Sequence, residues 1–232
     1  FLDTIGSDAC RKNILEYQKL MLKNADTYKR YLKWFAKGKG LQFNYLTFDE
    51  AYEYAVLEYP FSFWQYGHDC NEIPSSDASA DKQMQYLMDM VGLEFFADVS
   101  MTAYASHYYQ SGTQMGYYGY ETDEFEGLLR HLPYDPNPSA VFMPGKMKKD
   151  FDASLTEKVF EWAKSANNMI YINGALDTWS ATAVPPSDNS NSLYYFLEGK
   201  HHATARIRNM NEEERQMLVM TLEKWLDYKI EE

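Results

Sequence analysis

The chain has 232 residues, of which 22 are basic and 34 acidic, so its formal net charge is −12 at pH 7. This acidic balance argues against a nucleic-acid binder, which needs a basic face to release counterions, and against docking on anionic lipid. Aromatic residues make up 16% of the chain, which excludes a low-complexity or disordered protein. No apolar run approaches the roughly 20 residues that are needed to cross a bilayer.

Hydrophobic spacing predicts that roughly the first 130 residues are all-helical. We expect one long helix over about residues 7–35, ended by Gly38. A capping-box pattern at Thr47–Glu50 then opens a tyrosine-rich helix, which we expect to end near Pro60. Further helices are predicted over about residues 82–110 and 123–131.

After Pro133 the pattern changes to helices that alternate with strands. Capping boxes at Ser154–Glu157 and Asn211–Glu214 each predict the start of a helix. Short apolar runs at Met169–Asn173 and Leu193–Leu197 predict strands. Because helices separate strands in this way, we expect a parallel sheet that is buried on both faces. Two strands cannot form such a sheet alone, so its other strands must come from sequence outside this chain.

Polar loops follow both predicted strands. Because the carboxyl ends of successive parallel strands lie on the same edge of a sheet, we expect Asp177 and His201 to be close neighbours. Their order along the chain is that of the last two members of an α/β-hydrolase triad. In such a triad the carboxylate orients the histidine that takes the nucleophile's proton. Spacing alone also allows an exposed aspartate in a turn and a surface histidine pair.

The residues of these loops carry a family resemblance. Asn173–Ser180 resembles the N-G-x-x-D-x-W-S motif around the catalytic aspartate of the prolyl carboxypeptidase and dipeptidyl peptidase II family and of the related secreted bacterial tripeptidyl aminopeptidases. Gly199–His202 resembles the G-x-H-H motif in which the first histidine is catalytic. The resemblance implies that Asp177 and His201 are catalytic, with His202 as the reserve candidate.

Two more segments are similar to substrate-binding parts of these enzymes. Tyr109–Tyr118 is similar to a Y-Q-x-C-T-E-x-G-x-Y stretch beside the cleft, and Phe63–Tyr66 is similar to an F-W-Q-Y segment in the helical cap of the bacterial group. The resemblance therefore implies that Gln114, Tyr118 and Trp64 contact the substrate. Gln114 replaces the acid of the family pattern, which favours the tripeptidyl branch over the dipeptidyl branch.

The sequence contains no Gly-x-Ser-x-Gly elbow of the kind that carries the nucleophile. In the family, the nucleophile, the oxyanion-hole donors and the first strands precede the helical cap. The chain also lacks an initial methionine and a signal peptide. We therefore interpret it as the C-terminal portion of an α/β-hydrolase, with a helical cap over residues 1–132 and part of the sheet domain over 133–232. The N-terminal half of the same enzyme would be its partner.

The resemblance implies an extracytoplasmic, secreted or periplasmic, serine aminopeptidase that releases short peptides, above all tripeptides, from free N-termini. The chain alone is predicted to be inactive. The alternatives are a non-catalytic helical protein that binds peptide or glycan on aromatic platforms, or an α/β-hydrolase of other specificity, such as an esterase. We predict no cofactor and no metal, because His68, Asp69 and Cys70 lack further ligands at usable spacing. Cys10 and Cys70 can pair or stay free.

Overall fold

The fold is seen in a computed structural model that describes residues 2–133, 136, 142–143 and 149–230. Its α-helices are α1 Asp8–Lys23, α2 Ala25–Gly38, α3 Phe48–Tyr66, α4 Ala80–Met90, α5 Asp98–Ala103, α6 Ala105–Gln110, α7 Ser154–Ser165 and α8 Glu212–Leu226. Its strands are β1 Ile170–Gly174 and β2 Leu193–Leu197. Over the described residues, none of the helices combines the length and the apolar character that a bilayer-crossing segment requires.

The helix predicted over residues 7–35 is two helices, α1 and α2, separated at Asn24. Asn24 donates from its backbone N–H and from its side-chain amide to the carbonyl of Leu20, at 3.1 and 3.0 Å. A short amide side chain competes in this way with the regular helical pattern and favours a helix end. The second helix ends at Gly38, as predicted.

Helix α3 continues through Pro60 to Tyr66, so the predicted end near Pro60 is wrong. Proline has no N–H and cannot donate to the carbonyl four residues earlier, which here is that of Val56. The side-chain amide of Gln18, a buried residue of α1, donates to this carbonyl at 2.8 Å. A neighbouring helix thus supplies the hydrogen bond that the proline cannot make.

Two of the predicted capping boxes are present. At the start of α3, the N–H of Glu50 donates to the Thr47 hydroxyl at 3.2 Å, and the Glu50 carboxylate accepts from the Thr47 N–H at 2.7 Å. At the start of α8, Asn211 and Glu214 make the same reciprocal pair, at 2.9 and 2.8 Å. These boxes depend on residues three apart, which is why the sequence pattern predicts them.

The long helix predicted over residues 82–110 is divided. Helix α4 ends before Gly92, which has a left-handed φ of 74°, and a 3-10 turn at Leu93–Phe96 follows it. Helices α5 and α6 then complete the segment. A glycine adopts this backbone conformation at little cost, so it readily ends a helix.

The helix predicted over residues 123–131 is wrong beyond a 3-10 turn at Asp123–Phe125. The backbone N–H groups of Arg130, His131 and Leu132 instead donate to the buried carboxylate of Glu53, at 2.8 to 3.2 Å. The Glu53 side chain of α3 thus accepts from all three N–H groups, so these groups need no helical acceptors.

The chain divides into two compact units. The larger consists of Gly6–Phe63 and Asp69–Thr156, and the smaller of Phe1–Ile5, Trp64–His68 and Glu157–Glu232. The larger unit therefore extends beyond the cap boundary expected at residue 132 and omits the last turn of α3. Its described residues form helices and turns without strands.

The larger unit has an aromatic core. Tyr54 packs against Phe96 and Phe142, with ring centroids 6.1 and 5.3 Å apart. A disulfide joins Cys10 of α1 to Cys70, in the turn that follows α3, and their Cα atoms are 5.5 Å apart. The pairing that the sequence leaves open is therefore present, and Cys70 is not available as a metal ligand.

The smaller unit contains a two-stranded parallel sheet, in which Ile170 pairs with Leu193 and Gly174 with Leu197. Leu197 packs with Met210 and with Leu218 of α8 in a small apolar cluster. Both strands fall close to their predicted positions. The sheet is not buried on both faces, because most of its residues are half-buried and Phe196 of β2 is 48% exposed. The architecture is that of part of an α/β domain.

Candidate active site

Asp177 lies in the turn that follows β1. Its N–H donates to the carbonyl of Gly174 at 3.1 Å, which closes the turn. Its side chain caps a 3-10 turn at Thr178–Thr182, with Oδ1 accepting from the Trp179 N–H at 3.1 Å. The residue is only 8% exposed. One carboxylate oxygen is therefore held by the backbone, and the orientation of the other is fixed with it.

The loop after β2 is hydrogen-bonded to this turn. The Leu176 N–H donates to the carbonyl of Lys200 at 2.9 Å. A Cβ atom at Gly174 would lie 2.6 Å from the same carbonyl oxygen, closer than such atoms approach in proteins. Glycine at this position therefore permits the close approach of the two loops.

The second carboxylate oxygen meets a histidine. Asp177 Oδ2 lies 2.9 Å from His202 Nδ1. Because an ionised carboxylate only accepts hydrogen bonds, Nδ1 is the protonated nitrogen and Nε2 of a neutral ring is left with a free lone pair. The Asp177 side chain is 11% exposed and that of His202 is 46% exposed. A buried acid that orients an accessible imidazole is the arrangement of a general base.

The expected pairing of Asp177 with His201 is thereby corrected, because the adjacent His202 contacts the carboxylate. His201 Nδ1 is buried and has no hydrogen-bond partner within the described residues. The His201 carbonyl accepts from the N–H groups of Thr204 and Ala205, both at 2.9 Å. This tight turn decides which of the two neighbouring rings faces Asp177.

The three residues expected to contact substrate have different surroundings. Trp64 belongs to the smaller unit and is 6% exposed, so its indole is part of the packed interior. Gln114 and Tyr118 belong to the larger unit and are half-buried. The Gln114 carbonyl accepts from the Thr156 hydroxyl at 3.2 Å.

A buried acid that the sequence pattern does not reveal lies beside Tyr118. Both oxygens of Glu58 are 2.7 Å from the Tyr118 hydroxyl, and Oε2 also accepts from the Tyr120 hydroxyl at 2.7 Å. Phe61 stacks on Tyr118 with a centroid distance of 4.4 Å. Burial raises the pKa of Glu58 to about 7, although both tyrosine hydroxyls oppose this increase. A glutamate in a tyrosine-rich helix gives no periodic signal of burial, so sequence reasoning misses it.

Among the residues that the structure describes, no cluster of three or more histidine, cysteine, aspartate or glutamate side chains is close enough to hold an ion.

Comparison with known proteins identifies the family. The model of the PS-10 peptidase S37 family matches residues 1–214. The chain is also 30% identical over 185 residues to a prolyl tri/tetrapeptidyl aminopeptidase of Streptomyces mobaraensis, over 78% of this chain and 38% of that protein. The chain thus spans well under half the length of this curated relative. No solved structure matches it.

The family match includes both strand-end loops, and the match to the aminopeptidase covers most of the chain. The resemblance that these loops carry is therefore confirmed, and the chain belongs to the PS-10 peptidase S37 family.

Proposed function

We propose that the full-length protein carrying this chain is a serine aminopeptidase of the α/β-hydrolase type, which releases short peptides, above all tripeptides, from free N-termini. The observation that carries the proposal is the 2.9 Å contact between Asp177 and His202 at the carboxyl ends of two parallel strands. A helical peptide- or glycan-binding protein has no use for such a pair. The activity of the aminopeptidase relative supports the same conclusion.

In the proposed reaction, His202 Nε2 takes the proton of a serine hydroxyl as that oxygen attacks the peptide carbonyl. Asp177 stabilises the imidazolium that forms, since its carboxylate is already bonded to Nδ1. His202 then returns the proton to the leaving amine, and a water molecule repeats the sequence on the acyl-enzyme. The chain needs no metal or cofactor in this scheme.

The serine would come from the N-terminal half of the same enzyme, together with the oxyanion-hole donors and further strands. The half-buried strands support this, because a two-stranded sheet is marginal without neighbours. Helix α7 supports it too, since Leu155, Val159 and Trp162 are each more than half exposed. This apolar face and the open strand edges are surfaces on which the missing half could pack.

We propose that the larger, helical unit is the cap. It would restrict entry to the active site, so that only substrates with a free amino end are admitted. Within it, Gln114 would contact substrate directly. Tyr118 would act through its hydrogen bonds to Glu58, and the buried Trp64 would brace the end of α3. An extracytoplasmic location is also proposed, and the Cys10–Cys70 disulfide supports it because disulfides persist in oxidising compartments.

The test uses the full-length gene product with chromogenic tripeptide, dipeptide and N-terminally blocked substrates. We expect the free tripeptide to be preferred. His202→Ala should lower kcat by about 10³-fold or more, and Asp177→Asn by about 10³- to 10⁴-fold, because an amide favours the wrong tautomer of the ring.

His201→Ala is the matched comparison, since it removes the neighbouring ring. It should cost about tenfold in kcat, far less than His202→Ala, because that ring does not contact Asp177 and carries no proton in the proposed reaction. Unchanged turnover in His202→Ala would overturn the proposed mechanism. Peptide binding without hydrolysis by the full-length protein would favour the binding-protein alternative.

A further inference from the structure

The end of helix α3 contacts the loop that carries the two histidines. The His202 N–H donates to the carbonyl of Gln65, at 2.9 Å. After α3 ends, the N–H of Gly67 donates to the Trp64 carbonyl at 3.1 Å, and Gly67 has a left-handed φ of 69°. The Gln65 carbonyl, which accepts from His202, is thus followed two residues later by a left-handed backbone conformation that glycine adopts readily.

The imidazole of His201 lies directly against Gly67. A Cβ atom built on Gly67 would be 2.6 Å from Cδ2 and 2.9 Å from Cγ of this ring. Both distances are below 3.0 Å, so any larger residue at position 67 must displace the ring or the loop that carries it. Glycine is therefore required here by close approach as well as by its backbone conformation.

Displacement at His201 would be passed to His202 by the loop. The His201 N–H donates to the Thr204 hydroxyl at 2.9 Å, and the His201 carbonyl accepts from two N–H groups of the same turn. His201 and His202 share a peptide bond within this turn, so a displacement of the His201 backbone moves His202 as well. A shift of 1 Å would break the hydrogen-bond geometry between His202 and Asp177.

We propose that Gly67 and His201 are positioning residues, whose contact holds His202 within hydrogen-bond distance of Asp177. The inference rests on the proposed function, in which His202 is the general base. It gives the first histidine of the pair a role that needs no proton transfer, consistent with its buried Nδ1 that lacks a partner among the described residues.

The test compares two glycine variants of the full-length gene product. Gly67→Ala places a methyl group against His201, whereas Gly40→Ala has a similar φ of 66° and no atom within 4 Å of the new Cβ. Both variants carry the same backbone strain, so their difference reports the contact. We expect Gly67→Ala to lower kcat at least 30-fold more than Gly40→Ala, with KM changed less than threefold.

Two further readouts separate positioning from general destabilisation. In Gly67→Ala the acid limb of the pH profile of kcat should move to lower pH, because a carboxylate held less closely stabilises the imidazolium less. Adding His201→Ala to Gly67→Ala removes the ring that the methyl group strikes, so the double variant should be at least threefold faster than Gly67→Ala alone. A merely unstable protein would show neither effect.

The outcomes are distinguishable. If His202→Ala abolishes turnover but Gly67→Ala behaves like Gly40→Ala, the positioning inference is wrong and the proposed function stands. If His202→Ala leaves turnover unchanged, His202 is not the general base, and the positioning inference fails together with that assignment. Should Gly67→Ala not accumulate as folded protein, His201→Trp enlarges the other side of the same contact and must show the same loss of kcat and the same shift of the pH profile.

Discussion

At the scale of single residues, Glu58 shows what burial does to a carboxyl group. It is 5% exposed, and three hydrogen-bond contacts from two tyrosine hydroxyls do not replace the water it has lost. Its pKa is raised to about 7 from the ordinary 4.5 because burial disfavours the charged form. The folded state therefore holds a proton over a pH range in which the unfolded chain has released it.

We predict that the contribution of Glu58 to stability is fully present below pH 4.5 and is lost as the pH rises through 7. In Glu58→Gln this dependence should disappear. The free energy of unfolding of the variant relative to wild type should rise by about 3 kcal/mol between pH 4.5 and pH 8. Urea titrations at both pH values measure it, with the exposed Glu16→Gln as control. An equal change in both variants would contradict the prediction.

Single residues also mark the limit of what the sequence predicts about the site. The place of Asp177 just after β1 could be predicted, because its motif is local and its strand is clear. The choice between His201 and His202 could not be made, since it depends on which side of a tight turn each ring leaves. That is set by hydrogen bonds to Thr204 and by the Gln65 carbonyl, which is distant in sequence.

At the scale of elements, a helix can continue through proline when another element compensates. In α3 the carbonyl of Val56 accepts from Gln18 in place of the N–H that Pro60 lacks. The strands and the two capping boxes at Thr47–Glu50 and Asn211–Glu214 follow from residues a few positions apart, so the sequence predicts them. The course of α3 depends on a residue 38 positions away from Val56, so no local pattern reveals it.

We expect Gln18→Met to lower the free energy of unfolding by about 1–3 kcal/mol, because a buried carbonyl is left without a donor while side-chain volume is kept. The matched control is Gln85→Met, since Gln85 is exposed and bonds only locally to Asp89. It should change the free energy by about 0.5 kcal/mol or less. Equal urea midpoints for the two variants would show that the Gln18 bond contributes nothing.

The disulfide restrains two elements of the larger unit across 60 residues of sequence. Loop closure of this length predicts a contribution of about 4 kcal/mol to stability. Cys10→Ala with Cys70→Ala should lower the free energy of unfolding by that order in urea titrations. Reductant should destabilise the wild type to the same extent and leave the double variant unchanged. Destabilisation of the double variant by reductant would point to another cause.

At the scale of the whole molecule, several large apolar side chains of the described residues are exposed. Phe196 on β2 and Trp162 on α7 are 48% and 59% exposed, and Met217 and Leu226 of α8 are 53% and 64% exposed. Exposed apolar side chains mark an interaction surface where they lie side by side in a large patch.

We predict that the chain expressed alone hydrolyses none of the peptide substrates and binds a hydrophobic dye such as ANS. Co-expression with the N-terminal half should restore turnover and reduce the dye fluorescence per chain. The control is the chain with Val159→Lys and Trp162→Lys, which should bind less dye. Turnover by the chain alone that a serine-directed inhibitor abolishes would reveal a nucleophile within it.

The pairing of β1 with β2 restricts where residues can be inserted into or deleted from this part of the chain. Ile170 opposes Leu193, and the ladder is continued by the bond from Leu176 to Lys200. Losing one residue within β2 would shift the following loop by about 3.3 Å and turn its side chains to the other face of the sheet. Insertions in the irregular stretch 183–187 leave that alignment untouched. Length variation can therefore accumulate between Asp177 and His202, while the strands that precede them must keep their residue count.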